Sequence, residues 1–161
     1  MRDFLAWMEA SMLGVVVRES GVWTYAILNL GHILGISTLF GSIVILDLHL
    51  LGFGPRASMA PVSRLAIPLA KAGFALAALS GTAMLATNAT EYVDNPFLLI
   101  KFPAIAIGLV NVGVISRLPE WRARGERELT PREHRRLSVL GGLSLASWLT
   151  AVMAGRMIGY W

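Results

Sequence analysis

Four stretches of the chain stay apolar for about 20 residues or more, the length that crosses roughly 30 Å of hydrocarbon. They are residues 22–51, 65–87, 97–116 and 137–159, and each is expected to be a membrane-spanning helix. At 1.5 Å per residue the first would be roughly 45 Å long, so it must tilt or protrude. The first 19 residues differ in kind. Phe4, Leu5, Met8, Met12, Val15 and Val16 recur at helical spacing, while Arg2, Asp3, Glu9 and Glu19 interrupt the run. This pattern predicts one amphipathic helix lying in the membrane interface. A cleaved signal peptide fits less well, because Asp3 and Glu9 are out of place and no small-residue cleavage site follows a clean apolar core. The expected fold is an all-α integral membrane four-helix bundle with an N-terminal interfacial helix, forming one membrane domain over residues 1–161.

Composition agrees with lipid as the solvent. Of 161 residues 55% are hydrophobic and 15% charged, where a water-soluble domain carries about 25% charge; the mean hydropathy is +0.63. The absence of cysteine excludes a disulfide scaffold, a Cys-ligated zinc or iron–sulfur site, a thiol nucleophile and a covalently attached c-type haem. No Ser/His/Asp order, phosphate-cradling glycine loop or zinc-protease helix is present, and the carboxylates are too scattered for paired acid/base work.

The distribution of charge sets an orientation, since Lys and Arg are retained on the cytoplasmic side. Arg117, Arg122, Arg124, Arg127, Arg132, Arg135 and Arg136 fall between spans three and four, and Arg56 and Arg64 between spans one and two. Both connections are expected in the cytoplasm. Residues 88–96 hold Glu91 and Asp94 but no Lys or Arg, which puts that connection and both termini outside. Trp23, Tyr25, Tyr92, Tyr160 and Trp161 suit an outer aromatic belt, with Trp121 marking the inner side. The net charge of +4 does not point to nucleic acid. Most of the arginine sits in residues 117–136, where topology and anionic lipid already require it. Glu120, Glu126, Glu128 and Glu133 alternate with those arginines, a pattern that suits a short solvated helix or turn.

An ionisable side chain inside a span is costly and therefore a functional candidate. The set is His32, Asp47, His49, Lys71, Lys101 and Arg156, with the uncharged Asn29 and Asn111 beside them. Counting depth along each helix sorts them into two layers. Asp47 lies about one turn from the cytoplasmic end of span one and Lys71 roughly 10 Å into span two from the same side. The expectation is a structural ion pair of Asp47 with Lys71 or Arg64, fixing the register of adjacent helices; a proton or cation pathway through Asp47 is the alternative.

The outer layer holds Lys101 and Arg156, each about 7 Å inside its span, and His32 roughly 15 Å in. Haem b in a helical bundle needs an imidazole for iron and cations for its propionates, and one His below two cations has that layout. Gly31 and Gly35 flank His32 and would let a flat macrocycle or a neighbouring helix approach; Trp148, Phe40 and Phe74 could form apolar walls. The opposing reading is bland. Lys101 and Arg156 can snorkel, His32 can bond to Asn111 or a backbone carbonyl, and Gly31 with Gly35 can be a packing seam. His49 is 17 positions from His32, about 25 Å along the axis, so the two cannot share an iron. The other axial position would be empty, filled by Met153 at similar depth, or supplied by a second subunit. His49 with His134 could hold an inner haem, though both lie near the surface.

Gly31-His32-Ile33-Leu34-Gly35, Leu39-Phe40-Gly41 and Asp47-Leu48-His49-Leu50-Leu51-Gly52, with Asn95-Pro96, Lys101, Asn111 and Gly155-Arg156-Met157-Ile158 before Tyr160, resemble the signature of a bacterial family of small four-span membrane proteins with no assigned activity. The likeness runs from Trp23 onward and implies topology rather than mechanism. A more distant resemblance, to small b-type cytochromes and copper-resistance membrane proteins, implies redox chemistry, although the paired histidines of two-haem cytochromes are missing here.

The leading expectation is thus a b-type cytochrome-like membrane protein, binding haem b near its outer face through His32, Lys101, Arg156, Asn111 and Met153, in electron transfer or haem handling. The ridge Gly31, Gly35, Thr38, Ser42 suggests a homo-oligomer, and a redox partner or membrane complex is implied. A structural or assembly subunit, whose basic loop docks a partner or anionic lipid, is the first alternative. The second is a metal or solute carrier using His32, Asn29 and Asn111, which broken helices would favour.

Overall fold

The computed structural model describes residues 2–53, 59–124, 127 and 129–161. Arg56, Glu126 and Glu128, on which part of the charge pattern rests, lie outside the described residues. The fold class is the expected one, all-α and of the membrane helical-bundle type, with no strand among the described residues. Helices α1 (Arg2–Ala10) and α2 (Met12–Glu19) precede the long helices α3 (Val22–Leu50), α4 (Met59–Thr87), α5 (Pro96–Arg117) and α7 (Pro131–Met157). Between α5 and α7 comes the short α6 (Pro119–Arg122), and 3-10 turns follow α4 and α7. The four long helices are each long and apolar enough to cross a membrane, so this is a membrane protein.

Helix ends depart from the expected boundaries for identifiable reasons. The N-terminal segment forms two helices because Ser11 breaks it: its hydroxyl accepts from the Gly14 amide and donates to the Met8 carbonyl. A Ser with extended backbone caps the second helix better than it continues the first. Helix α7 starts six residues before its apolar stretch. Thr130 and Glu133 form a reciprocal capping box and Pro131 occupies the first turn, satisfying amides that would otherwise be orphaned. Pro68 and Pro103 lie inside α4 and α5, and both helices continue through them.

The chain divides into two compact units, Met1–Leu39 with Lys71–Pro96, and Phe40–Ala70 with Phe97–Trp161. In the first, α3 and α4 meet at backbone contact. A Cβ added at Gly35 would lie 2.6 Å from the Ala77 nitrogen, and one at Gly73 would lie 2.5 Å from the Leu39 nitrogen. Without a hydrophobic drive between helices in lipid, such small-residue contacts are what hold them. Gly35 is therefore spent inside the chain, where the sequence suggested an outward ridge. The interfacial helices are fastened to the end of α4. Arg18 donates to the Thr87 carbonyl at 2.8 Å, and Glu9 Oε2 accepts from both the amide and the hydroxyl of Thr90 at 2.7 Å.

In the second unit a core of Leu50, Ile115, Leu118, Trp121 and Leu137 joins α3, α5, α6 and α7. This corrects the reading of the basic segment. Trp121 is buried rather than in an aromatic belt, and Glu120 is 5% exposed and paired with Arg136 at 3.2 Å. Arg124 stacks on the Trp121 ring at 4.0 Å and donates to the Ser63 hydroxyl at 3.1 Å. Much of the expected solvated turn is packed structure, since Leu118 and Trp121 carry it into the core.

The Glu9 contacts predict an acid response. The side-chain hydrogen bond from Thr90, then its backbone amide, hold the Glu9 carboxyl below its ordinary value. A group depressed on folding contributes stability that is present above the unfolded carboxylate pKa and lost as pH falls through the folded one. Protection of the Thr90 amide, its exchange rate relative to an unstructured peptide at the same pH, should therefore fall as acidification protonates Glu9, and Glu9→Ala should abolish that step by being unprotected at neutral pH.

Candidate functional site

His32 is half-buried on the face of α3 that meets α4, one turn before Gly35. Its Nδ1 lies 2.9 Å from the Ala77 carbonyl oxygen and 3.2 Å from Ser80 Oγ. A carbonyl can only accept, so Nδ1 carries the proton. Ser80 agrees with this assignment, because its own hydroxyl donates to the Leu76 carbonyl at 2.6 Å and leaves its oxygen to accept. In the neutral ring the lone pair is then at Nε2. The ring rests on Gly81, where an added Cβ would lie 2.6 Å from His32 Cε1. Gly73, Ala77, Ser80 and Gly81 thus form one small-residue face of α4 on which the imidazole is seated. Of these four, none was singled out by sequence reasoning; their i, i+4, i+7, i+8 spacing was the available signal. A protonated Nδ1 held by a main-chain carbonyl is the arrangement that orients metal-ligating histidines.

Lys101, Arg156, Asn111 and Met153 fall in the second unit. The stem of Lys101 packs on α7, its Cε and Nζ each 3.4 Å from the position of a Cβ on Gly155. The next residue, Arg156, is exposed, donates to the Tyr160 hydroxyl and lies over that ring at 4.6 Å. The two cations thus belong to one end of α5 and α7. Met153 is 60% exposed. Trp148 is buried against α5, where a Cβ on Gly108 would fall 2.9 Å from its Cε2.

Asn111 is placed differently from expectation. It is 3% exposed and donates through Nδ2 to the Leu140 carbonyl at 2.9 Å. Leu140 is 16 residues before Arg156, about 24 Å along α7, so Asn111 is not in the layer of Lys101 and Arg156. It sits instead where α7 meets the end of α3. A Cβ on Gly141 would be 2.8 Å from the Leu50 Cβ and 3.4 Å from the Asp47 carbonyl oxygen, and Ser138 donates to the Leu50 carbonyl at 2.5 Å.

The expected ion pair does not form. Asp47 is 3% exposed while Lys71 and Arg64 are exposed, and no ion pair joins Asp47 to either. Depth along two helices does not fix which way they face, and Lys71 and Arg64 turn outward. The Asp47 carboxyl meets the Ser144 side chain instead. Its Oδ2 and the Oδ1 of Asn111 are buried without a hydrogen-bond partner. Asp47, Asn111 and Ser144, each 3% exposed, therefore line the same short stretch of α7 as a polar layer short of donors. Asn29, named for a solute site, is exposed, and His49 Nδ1 bonds to the Ile45 carbonyl of its own helix at 3.1 Å. Among the described residues no three His, Cys, Asp or Glu side chains gather as a metal-binding group.

No family model, curated protein or solved structure matches the chain.

A carboxyl group buried with no cation is costly, and an amide of the same shape supplies the missing donor. Asp47→Asn should raise stability by about 1 kcal/mol or more, seen as a rise of roughly 2–4 °C in the thermal midpoint in detergent. A fall instead would mean that the ionised carboxylate is held by a favourable partner.

Proposed function

We propose that the protein sits in a bacterial inner membrane with both termini on the periplasmic side, and binds haem b through His32 in electron transfer or haem handling. One observation carries this: Nδ1 of His32 is anchored on the Ala77 carbonyl at 2.9 Å, so the ring is held in the tautomer whose Nε2 can ligate iron. Haem bound there would supply one-electron redox chemistry. The chain's own part is to fix the imidazole plane through Ala77, Ser80 and Gly81 and to keep the site within an apolar layer. Lys101, Arg156, Asn111 and Met153 belong to the other unit, and the proposal stands on His32 alone.

The same bond favours a second reading, a structural subunit in which His32 only ties α3 to α4. The two differ under isosteric replacement. Asn can reproduce a donor at the position of Nδ1 but offers no ligand at Nε2. On the haem reading, protein purified under mild conditions shows a Soret band that His32→Asn lacks while its thermal midpoint stays within a few degrees. A colourless wild type overturns the haem reading. The structural reading then expects His32→Ala to destabilise by about 1–3 kcal/mol, the penalty for losing a buried hydrogen-bond partner.

Orientation can be tested in parallel, since the chain has no cysteine and single introduced thiols report cleanly. In intact cells an impermeant maleimide should label Glu91→Cys and leave Arg132→Cys unlabelled until the membrane is permeabilised. The reverse pattern would invert the proposed topology.

A further inference from the structure

At the start of α7 the chain carries an open groove of about 430 Å³ lined by Val114 of α5 and by Arg132, Arg135, Arg136, Val139 and Leu140 of α7. The lining is apolar, and Arg132, Arg135 and Arg136 contribute to it from little more than one turn of α7. They are not equivalent. Arg136 is already paired with the buried carboxylate of Glu120, which neutralises it and fixes that wall. Arg132 and Arg135 are exposed and form no ion pair with a described residue. Glu133, the acidic residue between them, is committed elsewhere, bound to Arg127 and to the Thr130 cap. Two cations with no ion pair among the described residues therefore stand beside an apolar trough.

The trough is continuous with lipid-facing surface, since Val139 is 66% exposed and Val110, one turn from Val114, is 67% exposed. The ligand that matches is long, apolar at one end and anionic at the other. A soluble anion has nothing to bury along the valines, and a neutral lipid leaves the two arginines unmatched. We propose that this groove is a binding site for an anionic phospholipid, with its phosphate on Arg132 and Arg135 and an acyl chain along Val114, Val139 and Leu140. Arg side chains suit it, because the planar guanidinium pairs with phosphate and the stem covers apolar surface. Basic residues beside the cytoplasmic leaflet generally attract anionic lipid; the groove makes a defined site of that attraction. The site does not depend on haem or on His32.

The experiment is native mass spectrometry of the full chain in detergent, titrated with phosphatidylglycerol or with phosphatidylcholine of identical acyl chains. Wild type should retain phosphatidylglycerol preferentially. The double substitution Arg132→Gln, Arg135→Gln should lower its apparent affinity roughly 25-fold, at about fivefold per arginine. Arg117→Gln with Arg122→Gln, equal in charge change but outside the groove, should leave it within about twofold of wild type. Val139→Trp, which fills the trough and spares the charges, should weaken binding several-fold, with helical circular dichroism confirming that each variant is folded. An equal loss in the two arginine pairs would overturn the proposal in favour of diffuse attraction. Displacement by millimolar inorganic phosphate would overturn it in favour of a headgroup-only anion site. No preference between the two lipids would overturn it outright.

Discussion

In the first unit α3 and α4 come to backbone contact because two glycines face two backbones. Gly35 stands against Ala77 and Gly73 against Leu39 at distances that leave no room for a Cβ. In lipid there is no hydrophobic gain from bringing apolar helices together, so contact must come from close packing and hydrogen bonds. The glycines supply the first and permit the second. Only at that separation can the imidazole of His32, one turn away, reach a main-chain carbonyl on the opposite helix. A backbone oxygen shared between its own helix and a histidine is a strong positional constraint, because neither partner has rotamer freedom along that direction. The position and tautomer of the most chemically capable residue thus follow from two missing side chains.

The second unit solves a different problem. Its polar groups lie inside, and most are satisfied by main chain: Asn111 by Leu140, Ser138 by Leu50, Ser147 by Leu143. Asp47 is the one carboxyl of that layer, set among hydroxyls and amides, and its Oδ2, like Asn111 Oδ1, has no hydrogen-bond partner. Arg64, a cation of the same unit, is exposed and forms no ion pair with Asp47. The layer is held by dipoles, which cost less to desolvate than charges. Nearer the helix ends, where water is available, true ion pairs return, between Arg136 and Glu120 and between Arg127 and Glu133.

How far the sequence disclosed this depends on which quantity it encodes. Length and apolarity of a run are one-dimensional, and the four long helices were legible from them. Depth along a single helix is likewise one-dimensional: 15 residues of α3 separate His32 from Asp47, roughly 22 Å at 1.5 Å per residue. Azimuth was not legible, because these helices are apolar on nearly every face and show no polar stripe to orient them. The expected pairing of Asp47 with Arg64 fails on azimuth, since Arg64 is exposed, whereas the grouping of Asn111 with the outer cations fails on depth, because Asn111 meets Leu140, about 24 Å along α7 from Arg156. The remaining departures are local. Ser11 carries a visible capping signal inside an amphipathic run, and Thr130 with Glu133 spells a capping box ahead of the apolar stretch. Reading hydropathy before caps gave one helix where there are two and began α7 too late.

Azimuth also bears on what the glycine ridge of α3 can do. Gly35 and Ser42 are turned into the chain, both buried, whereas Thr38 is exposed and Gly31 meets only the tip of Leu76 at 3.7 Å. A ridge spent on internal packing cannot also be a close-contact surface for a second copy. Any association through α3 must then use its larger apolar residues, Leu30, Ile33 and Leu34, which are more than half exposed. Leucine and isoleucine surfaces are equally well matched by lipid tails, so they give little preference for protein over bilayer. The case for self-association through this helix is accordingly weaker with the structure than with the sequence. A second axial ligand from another subunit loses support to the same degree, which leaves the haem reading dependent on what His32 can do within one chain.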